Sequence, residues 1–286
     1  MKKKVLTAVI LAGVLAGGIC AENFVADSPK AEAGIFDKIG DAIGGKKTGI
    51  DAVDKAKDKV AKQAQDSVKG AVEKALAINV DGMQDHRRDM QEHMRLAALC
   101  MATSYEEARQ AANMPADNIS ENLALYKKQL QQKGNFGAVY SFTGLPLKNS
   151  TDQMSKKFDE MAQNAQAGSE DEKIKKLMSS SKNNRTSAMA WSGMALRDAA
   201  FITKEALKGI ANIGKVDSIE GAKNFADNLK KDLQTMSDVA GDVKKIGVVL
   251  NQYNKELNEA TKKYDKKFNI KEDKTIKKQI ESMKKG

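Results

Sequence analysis

The sequence predicts an all-α protein: an elongated antiparallel helical bundle of long, coiled-coil-like helices, behind a signal peptide at the N-terminus. Three observations carry that prediction. Apolar residues recur every seventh position at Leu229, Met236, Val243, Leu250, Leu257 and Tyr264, beside a second series of Ala222, Ala226, Leu233, Ala240, Gly247, Thr261 and Phe268. This 3-4 spacing draws an apolar seam along a helix that packs on another helix. Proline occurs only at positions 29, 115 and 146, so little interrupts a helix. Aromatic residues make up 5% of the chain and charged residues 30%, the balance of solvated helices rather than of a sheet rich in β-branched runs and turns.

Unbroken, the stretch from Ser218 to Phe268 makes a rod about 75 Å long at about 1.5 Å per residue. A rod cannot bury its own seam, so other helices must cover it. Gly221, Gly241 and Gly247 each weaken it by up to about 1 kcal/mol relative to alanine. The sevenfold series passes Gly241 without a phase change, which predicts one helix rather than a hairpin of two.

At the N-terminus Lys2, Lys3 and Lys4 precede an apolar run from Val5 to Ile19, the pattern of a bacterial-type secretory signal within residues 1–33. The run is shorter than a spanning helix wants. Cleavage after Ala21 is one reading; Ala31-Glu32-Ala33 offers the small-x-small pattern that would start the mature chain at Gly34. Cys20 makes a poor lipidation site, because Ile19 precedes it and Gly17 stands where leucine is usual. The chain is therefore expected outside the cytoplasm, in a periplasm or at a cell surface. Cys100 is then the one remaining cysteine, too few for an intrachain disulfide.

Four segments follow from the pattern: the signal peptide at 1–33, a short amphipathic segment at 34–49, a helical bundle domain over 50–270 and a basic tail helix over 271–286. In the second, Ile35, Phe36, Ile39, Ala42 and Ile43 share a face suited to stapling onto the bundle or lying on a membrane surface. Gly40, Gly45 and Lys46 brush a phosphate-binding loop, but Lys47 stands where Ser or Thr is required and no strand precedes it. Asp51 to Ala77 reads as a helix with an alanine-rich seam, and Asp81-Gly82 as a turn. Met83 to Thr103 reads as a helix with the stripe Met83, Met90, Met94, Ala97 and Met101.

That helix also carries His86 and His93. Seven residues separate them by about 10 Å along the axis, whereas two ligands of one ion stand about 3 Å apart. They read as surface histidines beside core methionines. Metal or redox binding through His86, His93, Met90 and Cys100 is a third functional reading, which a partner helix would have to complete.

Ser104 with Glu107 reads as a capping box that starts a new helix, ending near Met114-Pro115. Ile119 to Lys133 is the next helix, with Gly134 as its stop. Asn135 to Ser150 is the one aromatic-rich stretch without a helical pattern. A helix capped at Ser150, Thr151 and Asp152 follows and ends at Gly168, and a second capping box sits at Ser169 and Glu172. Ser179 to Asn184 reads as a polar hinge. Asn184 to Gly214 reads as a central helix, because Met189, Trp191, Met194, Ala195, Phe201 and Ile202 cover a wide arc. Lys215-Val216-Asp217 turns the chain into the rod, expected to run antiparallel to that helix. Lys274 to Lys284 closes the chain as an amphipathic helix.

Net charge is +10 and interleaved along the helix faces, with a basic excess from Lys262 onward. No nucleophile elbow, paired cysteines, His-Glu-x-x-His helix or dinucleotide fingerprint occurs in the sequence. The reading is therefore a non-enzymatic protein with no catalytic, cofactor-binding or metal-ligating residue. It has no nucleic-acid partner and no evident small-molecule substrate. It acts through a protein partner or self-association, as an envelope scaffold or an accessory of a secretion or conjugation apparatus. The alternative is a membrane-active helical protein of pore-forming type. Phe136, Tyr140, Phe142 and Leu145 are the interaction candidates, since loops on a rigid scaffold often carry function.

Overall fold

The computed structural model describes residues 74–164, 171–217 and 223–272, apart from the side chains of 80, 216–217 and 223–229. Seven helices and no strand occur among the described residues: α1 Val80–Ala111, α2 Asn118–Leu130, α3 Gly137–Thr143, α4 Lys148–Asn164, α5 Glu172–Ala211, α6 Gly214–Asp217 and α7 Lys223–Lys267. The protein is all-α over these residues. The signal peptide, the 34–49 segment, most of the helix expected over 51–77, the stop at Gly168, the cap at Ser169 and the helix expected over 274–284 lie outside them.

The rod is one helix. α7 runs 45 residues and passes Gly241 without a break. Leu233, Met236, Ala240, Val243, Leu250, Leu257, Thr261 and Tyr264 are buried, as the sevenfold pattern requires. Ile246, Tyr253 and Ala260 are buried too. They add a third row and widen the seam into the broad apolar stripe of a helix in a globular bundle.

Two expected breaks are absent, for one reason. α1 runs through Ser104 and α5 runs through Ser179–Asn184. Ser104 is fully buried; its Oγ stands 2.9 Å from Ser181 Oγ, which in turn donates to the Ser104 carbonyl at 2.8 Å. Glu107 accepts from Ser180 Oγ at 2.7 Å and from Asn184 Nδ2 at 2.9 Å. The polar residues that look like a cap on one segment and a hinge on the other are partners across a helix pair. The Asp81-Gly82 turn is likewise the first turn of α1, where Asn79 Oδ1 accepts from the Gly82 amide at 2.8 Å.

The described residues divide into two compact units. The first holds residues 74–87, 199–217 and 223–241. In it α1 and α5 run antiparallel: the Asn79 amide donates to Glu205 Oε2 at 2.8 Å, and the His86 ring lies 4.1 Å from that of Phe201. Gly209 lets chains approach closely, because a Cβ there would stand 2.7 Å from Leu233 Cδ1 and 3.2 Å from Ile78 Cγ2. Asp232 on α7 is half-buried with no partner for Oδ2, and burial pushes its carboxyl up to about 6. The folded state then holds this proton more tightly than the unfolded chain, so stability falls as pH rises from about 4 to about 6. Asp232→Asn is expected to raise stability at pH 7 by about 1 kcal/mol, allowing for solvent at its open side. Urea unfolding at pH 4.5 and 7 should show that gain shrinking at the lower pH.

The second unit holds residues 88–164, 171–198 and 242–272. Here too α5 runs antiparallel to both long neighbours. On α1, His93 meets Asp198 and Ser104 meets Ser181; on α7, Gly247 lies beside Ser192 and Arg185 meets Thr261. The seam of α5 keeps 3-4 spacing through Met178, Ser181, Arg185, Ala188, Ser192 and Ala195, all buried. Its side chains are mostly small, so neighbouring helices come close. α4 covers the far end of α7, with the Phe158 and Tyr264 rings 5.4 Å apart.

Candidate functional site

The interaction candidates lie in the second unit, and the structure separates them. Phe136, Phe142 and Leu145 are buried, whereas Tyr140 is 40% exposed. The stretch is helical where the sequence showed no helix: α3 covers Gly137–Thr143. Seven residues give too little periodicity to read, and glycine, valine and threonine weaken local helix preference. Gly134, at φ +82°, makes the left-handed turn that leads out of α2.

The chain beyond α3 is held by side chains from other helices. Pro146 lacks a backbone N–H and biases Leu145 away from helix, so the helical ladder stops here, and tyrosine hydroxyls add to the local backbone bonds that the Leu145 and Leu147 carbonyls accept. Tyr253 Oη lies 2.6 Å from the Leu145 carbonyl and 3.0 Å from that of Thr143. Tyr105 Oη donates to the Leu147 carbonyl at 3.0 Å. Burial pushes both phenols well above their ordinary range, so both stay protonated donors. The Phe142 ring meets Tyr253 edge-on at 5.7 Å. Tyr140 packs edge-on against Phe136 at 5.5 Å, and burial, with Asp242 adding repulsion, raises its phenol as well.

Two buried arginines frame this cover. Arg109 Nη1 donates to Ser150 Oγ at 3.0 Å and Nη2 to the Pro115 carbonyl at 2.6 Å, while Asp117 pairs with it at 3.2 Å. Asp117 also caps α2, accepting from the Ser120 amide at 2.8 Å. Arg95 holds Glu92 with Nε at 2.8 Å and Nη2 at 2.6 Å, and its Nη1 donates to the Leu130 carbonyl. The Arg95 hydrogen bond holds the Glu92 carboxyl below its usual range.

A third buried arginine lies on the seam of α5. Arg185 is 2% exposed and forms part of the wall of a half-open cleft of about 320 Å³. Its Nη1 donates to Thr261 Oγ1 at 3.3 Å, and its Nη2 stands 3.8 Å from Asp265 Oδ2.

The two histidines are half-buried rather than fully exposed. His93 Nδ1 lies 2.8 Å from Asp198 Oδ2, and its ring stacks on Trp191 at 5.4 Å. His86 belongs to the other unit. Burial pushes the Cys100 thiol up to about 11, which keeps it protonated and unreactive at neutral pH. Among the described residues no three His, Cys, Asp or Glu side chains stand together as a metal site, and no described helix is long and apolar enough to cross a membrane.

Sequence reasoning missed Arg95, Arg109, Arg185 and the two pinning tyrosines. A signal existed for Arg185: it occupies a seam position between Ser181 and Ala188, where an apolar residue is the rule. No protein-family model matches the chain, and no curated protein or solved structure matches it either.

Proposed function

We propose that this is an exported, non-enzymatic protein whose long helices pack as an elongated, coiled-coil-like bundle and whose work is contact with another protein. A scaffold of the cell envelope or an accessory of a secretion or conjugation apparatus fits this reading. Export rests on the three lysines and the apolar run of the leader. The observation that carries the contact role is Tyr140, 40% exposed between buried neighbours Val139 and Phe142. An aromatic side chain held by packing loses little conformational freedom on binding, and tyrosine is enriched among residues that dominate interface energies.

The test has two arms, both with the full chain in the cell that makes it. Fractionation and N-terminal sequencing should find the protein outside the cytoplasm, beginning at Gly34 or Glu22; an intact Met1 in the cytoplasm would end the export reading. A photo-reactive residue at 140 should give one discrete adduct, with a partner or a second copy. The same group at Lys255, exposed on α7, should not. Equal labelling from both positions, or none from 140, would remove the contact role.

A further inference from the structure

The second unit buries three arginines, and their surroundings differ. All three Arg95 nitrogens donate to Glu92 or the Leu130 carbonyl, and both terminal nitrogens of Arg109 are taken. Arg185 has one hydrogen bond, at 3.3 Å to Thr261. Its Nε and Nη2 are buried without an acceptor, and Oδ1 of Asp265 is buried without a donor. The 3.8 Å between Nη2 and Asp265 is too long for a hydrogen bond. Burial lowers the guanidinium's hold on its proton and raises that of the Asp265 carboxyl, so neither charge is fully compensated by the other. A buried arginine left this way costs stability unless something else meets it.

The cleft beside it supplies the place. Lys182, Met189, Asn254, Asn258 and Glu272 line it with Arg185. Nε and Nη2 are the two donors along one edge of the guanidinium fork, spaced to meet the two oxygens of a carboxylate in parallel. We propose that this cleft binds a small organic carboxylate on the Nε/Nη2 edge of Arg185. Lys182 adds a second cation at the rim, its Nζ tethered to the Ile270 carbonyl at 3.0 Å. Asn254 and Asn258 bring carboxamides for further polar groups, and Met189 an apolar wall. Glu272, which accepts from Thr186 at 2.9 Å, and Asp265 offset the two cations. The two carboxylates leave no excess positive charge for a dianion, so the parallel donors of the fork, rather than net charge, would select a planar carboxylate. Both nitrogens are buried in this conformation, so occupancy requires a lining side chain to move. Met189, unbranched with a flexible thioether, is suited to that.

This assignment does not depend on the contact role of Tyr140. Its test uses the full chain with sodium acetate as probe and sodium chloride of equal ionic strength as control. Acetate should raise the melting temperature saturably, and carbon-13 acetate should broaden in NMR with a measurable Kd. Arg185→Lys keeps the charge but loses the fork, and should weaken acetate binding at least about tenfold. Because that variant alters a buried position, Lys182→Gln at the rim provides the second reading, with weakening of about threefold or more expected from loss of one cation. Lys255→Gln should leave binding unchanged. Equal effects of acetate and chloride would show a cleft that holds only water and overturn the proposal. So would a folded Arg185→Lys protein that binds acetate normally, or stabilisation by inorganic phosphate without any by acetate.

Discussion

Phe142→Ala is expected to cost about 3–5 kcal/mol, the range for deleting a buried phenylalanine. Phe142 is fully buried and meets the Tyr253 ring edge-on at 5.7 Å. Tyr253 in turn holds the carbonyls of Leu145 and Thr143. Truncation therefore leaves a cavity and loosens the ring that positions two backbone hydrogen bonds. Phe142→Leu, which keeps most of the volume, should lose about 1.5 kcal/mol or less. Urea unfolding followed by circular dichroism would read both as a lowered midpoint. An alanine variant as stable as wild type would mean the segment is a surface loop, not part of the core.

Arg109→Ala is expected to cost about 3 kcal/mol, for a different reason. The guanidinium joins three segments: Ser150 in the first turn of α4, the Pro115 carbonyl between α1 and α2, and Asp117 at the α2 cap. Removing it strands the Pro115 carbonyl and Ser150 Oγ without their donors. Arg109→Lys restores one charge but cannot span all three partners, so it should recover only part of the loss. Asp117 keeps its reciprocal hydrogen bonds with Ser120, so α2 itself should survive. Hydrogen exchange should show faster opening over residues 112–117 and unchanged protection in mid-α2. Uniform exchange with no loss of stability would refute the linking role.

What the sequence made legible follows the length of each signal. α7 was readable because its apolar series persists over many turns, enough to override the penalty at Gly241. The methionine stripe of α1 was readable for the same reason. The continuation of α1 past Ser104 and of α5 through Ser179–Asn184 was not, because serine and glutamate form caps when alone and interhelical partners when a second helix faces them. A single strand of sequence does not show which helix faces which. α3 was too short to display a period. The seam of α5 was hidden in the same way, since Ser181, Arg185 and Ser192 interrupt the apolar pattern that would reveal it. Of the interaction candidates, the aromatic composition marked the segment as a whole and could not separate the exposed Tyr140 from its buried neighbours. That division depends on which side of a seven-residue helix meets α7.

The hydroxyls of Ser104 and Ser181 act as a vernier mark between two rods. Sliding α5 along α1 by one turn would carry each hydroxyl away from its mate, setting Ser181 opposite Met101 or Ala108 and Ser104 opposite Met178 or Arg185. Apolar contacts alone tolerate such a shift, since one greasy turn resembles the next. The two oxygens do not, and they confine the pair to a single alignment.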